Sequence, residues 1–357
     1  MIKKLLGTAA AAALAVGLMA THASAQTKVG FIYVGPVGDH GWTYRHDQGR
    51  LAIEKEFGDK VKTTFVESVS EGADAERVIR KLAQEGHDLI FTTSFGFMNP
   101  TLKVAKQFPN VKFEHATGYK RSDNLSTYAA RFYEGRHVAG LLAGKVTKSN
   151  VVGYIGSFPI PEVVRGINAF TMALRSVKPE AEVKVVWVNT WYDPGKESDA
   201  AKALIDQGAD VISQHTDSPA PVQIAQERGV WAVGQASDMS KFAPKSHMTA
   251  IIDVWDHYYV ERTRAVIDGT WKSQDVWDGL DKGMLEMAPY NEALPADAIA
   301  LAEQAVADIK SGKLHPFTGP IKDQSGKVVV KAGERLDDKA LLTMDWYVEG
   351  VQGKLPK

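Results

Sequence analysis

The chain has 357 residues, no cysteine and a formal net charge of −1. The lack of cysteine excludes disulfides, sulfur-ligated metal sites and a lipid attached to cysteine. The balanced charge argues against a nucleic-acid partner, which would favour a basic surface. Without disulfides the protein must be stabilised by an apolar core, and two lobes would build that core most economically at this length.

The first 25 residues have the pattern of a secretory signal peptide. Two lysines near the start precede an apolar stretch at 5–20, and small residues occupy 23–25. The apolar stretch is rich in alanine and glycine and shorter than the roughly 20 strongly apolar residues that span a bilayer. We therefore predict cleavage between Ala25 and Gln26, export to the periplasm, and no lipid anchor.

Two series of alternating apolar and amphipathic segments follow. The first predicts strands and helices in turn at 29–34, 43–57, 61–67, 74–85, 88–93, 99–108 and 111–117. After a helix at 133–146, the second predicts them at 150–155, 162–176, 182–188, 197–207, 210–214, 219–228 and 230–234. Apolar strands that alternate with helices indicate parallel sheets covered on both faces. The predicted fold class is therefore α/β, with two similar three-layer α/β/α lobes.

The same pattern gives the predicted domain organisation. Residues 26–147 form an N-terminal lobe, and 148–248 form a C-terminal lobe. A strand and helix at 248–267 suggest that the chain crosses back, so a return segment at about 249–275 is assigned to the first lobe. The remainder, 276–357, is assigned to the second lobe, with a helix ending at 311 and a β-hairpin around 323–326.

Catalytic motifs are missing from the sequence. It contains no nucleophile elbow, phosphate-binding loop or zinc-protease motif. His40 and His46 have no third candidate ligand, so we predict no metal site. Serines near strand ends lack a nucleophile context and are better explained as hydroxyls that satisfy loops; they are Ser94, Ser157, Ser213 and Ser237. We therefore predict a protein that is not an enzyme and has no cofactor.

The loops after the predicted strands share aromatic, amide and carboxylate side chains. Ligands of such sheets bind outside the carboxyl ends of the strands, so these loops are the candidate site. Flat rings with hydrogen-bonding groups between them suit a planar heteroaromatic ligand. The candidate ligand-binding residues are Asp39, Trp42, Ser94, Phe95, Phe158, Trp191, His215, Thr216, Asp217, Gln235 and Asp238.

Each of these residues also has a purely structural explanation. Trp42 and Trp191 could pack against the helices that follow them, and Phe158 could shape a turn. Asp39 and Asp217 could cap helix N-termini, which is compatible with a role in binding.

Several stretches resemble one known family over essentially the whole mature chain. They are VGPVGDHGWTYRHDQG at 34–49, GYIGSFPIPEVVRGINAF at 153–170, GADVI at 208–212 and WYVEGVQG at 346–353. They look like the basic membrane protein family of ABC-transporter substrate-binding proteins. This resemblance implies a type I periplasmic-binding fold, with two lobes that close on a ligand about a hinge. It further implies a monomer that delivers its ligand to an inner-membrane ABC permease. The best-known members of the family bind purine nucleosides.

The resemblance also suggests roles for individual residues. The loop with Asp39 and Trp42 resembles the family's first-lobe purine clamp, although phenylalanine is usual where this chain has Trp42. Phe158 and Trp191 resemble stacking residues of the second lobe.

Two departures from the family pattern bear on the ligand. Ala236 stands where nucleoside binders carry the aspartate that holds the ribose, and Asp253 stands where they carry a lysine. The bulky segment 215–217 replaces a small, glycine- and alanine-rich one. Because the charged contacts to a sugar are missing, we predict a free purine base resembling adenine. A nucleoside or a sugar is the alternative, and an exported nucleosidase is a remote one.

Overall fold

The computed structural model describes residues 26–356, so the predicted signal peptide lies outside the described residues. Within this range, no helix is both long enough and apolar enough to cross a membrane. The first part of the chain forms β1 (Thr27–Ile32), α1 (Gly41–Phe57), β2 (Val61–Val66), α2 (Ala73–Gln84), β3 (Leu89–Thr92), α3 (Met98–Ala105), β4 (Lys112–Ala116) and β5 (Leu125–Ala130).

The middle part forms α4 (Phe132–Val146), β6 (Val151–Gly156), α5 (Pro161–Val177), β7 (Glu182–Trp187), α6 (Pro194–Asp206), β8 (Val211–His215), α7 (Ala220–Glu227), β9 (Trp231–Ala236) and β10 (His247–Asp253). The last part forms α8 (Asp256–Ile267), β11 (Asp275–Asp278), β12 (Leu285–Met287), α9 (Ala296–Lys310), β13 (Ile321–Lys322), β14 (Val328–Val330), α10 (Asp338–Leu342) and β15 (Val351–Gln352).

Two large sheets define two lobes. The first sheet has the order β11-β5-β4-β3-β1-β2, and all its neighbouring strands are parallel. The second has the order β12-β10-β9-β8-β6-β7-β15, and only β12 is antiparallel to its neighbour. The predicted fold class is therefore confirmed.

The central strands are apolar on both sides because helices cover both faces of each sheet. In β1, the side chains of Phe31 and Ile32 point to opposite faces, yet both are fully buried. Ile32 packs in a core with residues of α2 and α3, whereas Phe31 belongs to a core that also contains residues of α8.

The chain passes between the lobes at different points from those predicted. Helix α4, assigned from the sequence to the first lobe, packs against α5 and α9 of the second. Strand β10, assigned to the return segment, lies between β9 and β12 in the second sheet. Only α8 and β11 return to the first lobe, where α8 packs on α1 and β11 pairs with β5. All residues of β10 are buried, which is typical of a strand inside a sheet and not of a segment that connects two lobes.

The C-terminal part contains the predicted hairpin and also elements that were not predicted. Strands β13 and β14 pair antiparallel on either side of the turn at 323–326. Strand β15 pairs with β7 at the edge of the second sheet. The buried Asn168 of α5 fixes the segment that leads into β15. Its amide nitrogen donates to Trp346 O at 2.7 Å, and its oxygen accepts from Val348 N at 3.0 Å.

Candidate functional site

The carboxyl ends of the two sheets face each other across a partly open cavity, whose empty space, including space open to solvent, is about 340 Å³. Each lobe contributes five residues to the wall. The first lobe provides Val34, Trp42, Ser94, Phe95 and Thr117, and the second provides Glu162, Trp191, His215, Asp217 and Gln235.

Trp42 on the first-lobe wall is fixed from behind. Its indole nitrogen donates to Thr93 O at 2.6 Å. The buried His46 meets its ring edge-on at a centroid distance of 4.4 Å and stacks in turn on Trp255 at 5.0 Å. Burial lowers the pKa of His46 well below its usual value, so this ring remains neutral and packs as an aromatic group. Trp42 is therefore a pre-positioned flat surface.

Polar groups concentrate on the second-lobe wall. His215 Nε2 lies 3.4 Å from Glu162 Oε1, and burial is the main cause that lowers the pKa of His215. The buried Arg136 donates both to the side-chain oxygen of Gln235 and, at 2.8 Å, to Gln214 O. Because Arg136 occupies the oxygen of Gln235, the amide nitrogen is the group that Gln235 can offer to a ligand.

Asp217 sits on a loop that is anchored to helix α6. The buried Glu197 accepts hydrogen bonds from the backbone nitrogen and the hydroxyl of Ser218, at 3.0 and 2.7 Å. Gln214 donates to the backbone oxygens of Thr216 and Ser218. Burial raises the pKa of Asp217 well above its usual value, and the nearby Glu197 adds to the shift. The carboxyl group is therefore favoured in its protonated form, which can donate as well as accept.

Trp191 closes the outer side of the cavity. Its indole nitrogen donates to Glu71 Oε1 of the first lobe at 3.1 Å. Phe158 lies 5.0 Å from Trp191, with its ring tilted by 57°. Phe158 lines a second groove of about 810 Å³ outside the cavity, which Trp191 also lines.

Further contacts hold the lobes together around the cavity. The backbone nitrogen of Gly41 donates to Ser237 Oγ at 2.7 Å, and Arg45 Nε donates to Asp253 O at 2.6 Å. Gly41 has a φ of +77°, and a Cβ atom there would lie 2.6 Å from the carbonyl oxygen of Asp217. Both the backbone conformation and the close approach therefore require glycine.

Asp39 takes part in this closure outside the cavity. Its side chain is 64% exposed and pairs with Lys241 of the second lobe and with His40. These partners, Lys241 first, lower the pKa of Asp39 to about 2. The structure thus places Asp39 at the rim and not on the wall where the sequence predicted it, because its carboxylate is drawn to a surface cation.

The other predicted residues also divide into those that line the cavity and those that lie outside it. Those that line the cavity are Trp42, Ser94, Phe95, Trp191, His215, Asp217 and Gln235. Phe158 lines the outer groove, and Thr216 is buried in the loop behind the wall. Asp238 is exposed and accepts from Ser240 N at 2.8 Å as a local turn cap. These three side chains, like Asp39, are therefore not part of the cavity wall.

Three wall residues were not predicted from the sequence, namely Val34, Thr117 and Glu162. Glu162 lies in the first turn of α5, directly after the loop that follows β6. Thr117 directly follows β4 and has a φ of +62°, a conformation that is uncommon for threonine and marks a constrained loop. An acidic residue in the first turn after a strand-end loop is a signal that could have identified Glu162.

The two positions that depart from the family pattern lie at strand ends of the second lobe. Ala236 ends β9 with a φ of +59° and is fully buried. Asp253 ends β10, is 1% exposed, and neither of its carboxylate oxygens has a hydrogen-bond partner among the described residues. Burial raises the pKa of Asp253 well above its usual value. Ala236 has no polar side-chain atom, and Asp253 has an acidic side chain where the family pattern has a basic one.

Between residues 26 and 356, no group of three or more histidine, aspartate or glutamate side chains is placed to hold a metal ion. His40 Nδ1 lies 2.8 Å from Asp39, and His46 Nδ1 lies 2.5 Å from the hydroxyl of Tyr259. Both rings are therefore committed to protein partners.

Comparisons with known proteins agree with this architecture. Residues 26–325 match the family described as ABC transporter substrate-binding protein, PnrA-like. The chain is 60% identical over 338 residues to a purine-binding protein of Brucella abortus. This alignment covers 95% of this chain and 96% of that protein. It is 39% identical over 329 residues to a putative ABC transporter glucose-binding protein of Haloferax volcanii, covering 91% and 80% of the two chains.

Solved structures show the same fold at low sequence identity. An ABC transporter solute-binding protein from Aeropyrum pernix matches with a TM-score of 0.70 and 19% identity, over 88% of this chain and 95% of that one. The resemblance predicted from the sequence is thus confirmed, and the chain belongs to the PnrA-like family of ABC transporter substrate-binding proteins.

Proposed function

We propose that this protein is an exported receptor that binds a free purine base, adenine or a close relative, between its two lobes. The observation that carries this proposal is a cavity between the lobes that is lined by a tryptophan from each lobe and by carboxyl, imidazole and amide groups. Tryptophan rings suit the faces of a planar base, and the polar groups suit its amino, N–H and ring-nitrogen positions. Its 60% identity to a protein named as purine-binding supports the same ligand class.

The preference for a base over a nucleoside rests on the second lobe. Ala236 has no polar side-chain atom, and Asp253 would bring a carboxyl group where a cation would be expected to hold a sugar. His215 and Asp217 occupy space on the wall that a smaller loop would leave open. A ligand without a ribose avoids the unpaired contacts that these residues would leave.

As a member of the substrate-binding family, the protein is expected to act without covalent chemistry. Ligand binding would shift the population from open to closed lobes, and the closed form would dock on an inner-membrane permease. The pattern of residues 1–25 favours export to the periplasm, and we expect the protein to be a monomer there.

A sugar is the second candidate, favoured by the 39% identity to a protein named as a putative glucose-binding component. Aromatic walls also stack on sugar rings, so the cavity shape alone does not separate the two classes. A titration that tests the proposal must therefore include glucose.

Isothermal titration of unfolded, ligand-stripped and refolded mature protein tests the proposal. We expect tight binding of adenine, weaker binding of adenosine and no binding of glucose. Tighter binding of adenosine than of adenine would overturn the assignment to a free base, and binding of glucose alone would replace it by a sugar. Incubation with adenosine should release no adenine, whereas sustained release would identify a hydrolase.

A further inference from the structure

The Trp191 side chain stands between two spaces. It lines the inner cavity of about 340 Å³ and also the outer groove of about 810 Å³. Val34 is the other residue shared by both walls. A ligand in the inner cavity is therefore separated from the outer groove by the indole of Trp191 with Val34 beside it.

The partner of the Trp191 indole comes from the opposite lobe. Glu71 lies in the loop before α2 of the first lobe, and its Oε1 accepts from Trp191 Nε1 at 3.1 Å. The same oxygen accepts from Ser94 Oγ at 2.6 Å and from Gly96 N at 3.1 Å. A Cβ atom at position 96 would collide with this carboxylate, so Gly96 provides the space it occupies. Glu71 is thus oriented by its own lobe.

The loop that carries Trp191 is held by the second lobe. The backbone oxygen of Trp191 accepts from Asp217 N at 3.0 Å, and its ring lies 5.0 Å from Phe158. The indole nitrogen therefore meets its acceptor only when the two lobes come together. The bond between Glu71 and Trp191 forms at the step that encloses the ligand.

We infer that Glu71 and Trp191 form a gate across the mouth of the cavity, in which the Glu71 carboxylate holds the Trp191 indole in its closed position. The gate deepens the proposed function and rests on it, because it assumes that the ligand lies in the inner cavity. Glu71 is a positioning residue that acts on the ligand through Trp191. Its expected effect is on the rate at which bound ligand escapes.

Stopped-flow measurement of adenine dissociation tests the gate. Removing the acceptor with Glu71→Ala, or the donor with Trp191→Phe, should each speed dissociation about 2- to 10-fold, as expected for the loss of one hydrogen bond at an exposed position. The double variant should be no faster than the faster single variant, because both remove the same bond. Multiplicative effects would show that the two residues act independently and would overturn the gate.

Two further variants separate the gate from a general effect of losing a carboxylate. Glu71→Gln keeps a side-chain oxygen acceptor and should restore most of the wild-type rate. Glu76→Ala removes an acidic group five residues later, whose partners Arg80 and Lys103 lie in the same lobe. It should leave the dissociation rate unchanged, and a rate increase equal to that of Glu71→Ala would contradict the gate.

A readout without purine distinguishes failure of the gate from failure of the proposed function. Because the chain lacks cysteine, Asp39→Cys and Lys241→Cys could be joined by a short bismaleimide that keeps the lobes closed. In 5-fluorotryptophan-labelled cross-linked protein, the ¹⁹F resonance lost in Trp191→Phe identifies Trp191, and Glu71→Ala should shift it. A shift of the Trp191 resonance in protein that does not bind purines would support the gate and contradict the proposal that the ligand is a purine base. Tight adenine binding with neither a shift nor faster dissociation would reject the gate alone.

Discussion

The two walls of the cavity differ in chemistry. The first-lobe wall presents two aromatic rings, a valine and two hydroxyl groups, and its members carry no ionisable side chain. The second-lobe wall presents one tryptophan beside three ionisable groups and an amide, namely Glu162, His215, Asp217 and Gln235. This difference supports the proposal that the first lobe contacts the face of the ligand, whereas the second lobe forms hydrogen bonds with its edge.

The supports behind the walls differ in the same way. Trp42 is held by a backbone oxygen and by a stack of buried rings, so its position does not depend on protonation. Asp217 and Gln235 are held by buried charged residues, Glu197 behind the loop and Arg136 behind the amide. The first wall should therefore set affinity for any flat ligand, and the second should set the choice among them.

Removal of the Trp42 ring should give the largest effect. We predict that Trp42→Ala weakens adenine binding by about 1–3 kcal/mol, the range for a base that loses an aromatic stacking partner. Trp42→Phe keeps a flat ring and should lose much less. Isothermal titration gives the affinities, and thermal melting checks that each variant is folded. Equal, unchanged affinity in both variants would show that the first wall does not stack on the ligand.

The second wall should instead change the order of ligands. Asp217→Asn exchanges a carboxyl group for an amide with a fixed donor, so we predict a change of about tenfold in the ratio of adenine to hypoxanthine affinity. Ser94→Ala, a polar change on the first wall, should alter both affinities alike. An equal loss of affinity for adenine and hypoxanthine in Asp217→Asn would mean that this residue supports the loop and does not distinguish between purines.

This contrast between walls also explains how far the sequence could predict the site. Trp42 and Trp191 were predicted because each lies between a strand of a parallel sheet and the body of the helix that follows it, at the edge where ligands of such sheets bind. Asp39 follows the same strand but turns outward to Lys241, a residue 202 positions away that local sequence could not connect to it. Glu162 was missed because an acid in the first turn of a helix is usually explained by the helix dipole.

The fold was predicted where apolar runs were continuous and missed where they were not. The central strands β1, β3, β6 and β8 were found because burial on both faces leaves a largely apolar pattern. Strand β5 has the sequence LSTYAA, whose polar residues are buried by pairing with β11 from a distant part of the chain. Strand β10 was found as a strand but placed in the wrong lobe, since periodicity contains no information on which sheet accepts a strand.

Titration should distinguish the walls by their effect on stability. Burial raises the folded-state pKa of Asp217, so the folded protein favours the protonated carboxyl group. The free energy of unfolding therefore falls as pH rises through the folded-state pKa. An asparagine cannot ionise, so Asp217→Asn should melt at a higher temperature than wild type at pH 8, by about 2–4 °C for each kcal/mol gained. Near pH 3, below the usual aspartate pKa of about 3.9, the difference should disappear.

Ligand-free protein is required for these melts, because bound ligand would add its own stabilisation. Trp42→Phe provides the first-wall control, and its difference from wild type should not depend on pH. An Asp217→Asn melting temperature below that of wild type at pH 8 would show that the Asp217 carboxylate is ionised and satisfied in the folded protein.

The smallest effect is expected at the rim, where Asp39 and Lys241 join the two lobes outside either wall. Both side chains are largely exposed, so Asp39→Ala and Lys241→Ala should each weaken adenine binding only slightly and to the same extent. Titration in about 1 M salt should abolish the difference from wild type, because screening then acts within a few ångströms. A much larger, salt-independent loss in Asp39→Ala alone would mean that its carboxylate turns inward onto the ligand, and the ionisable groups would then no longer be confined to the second lobe.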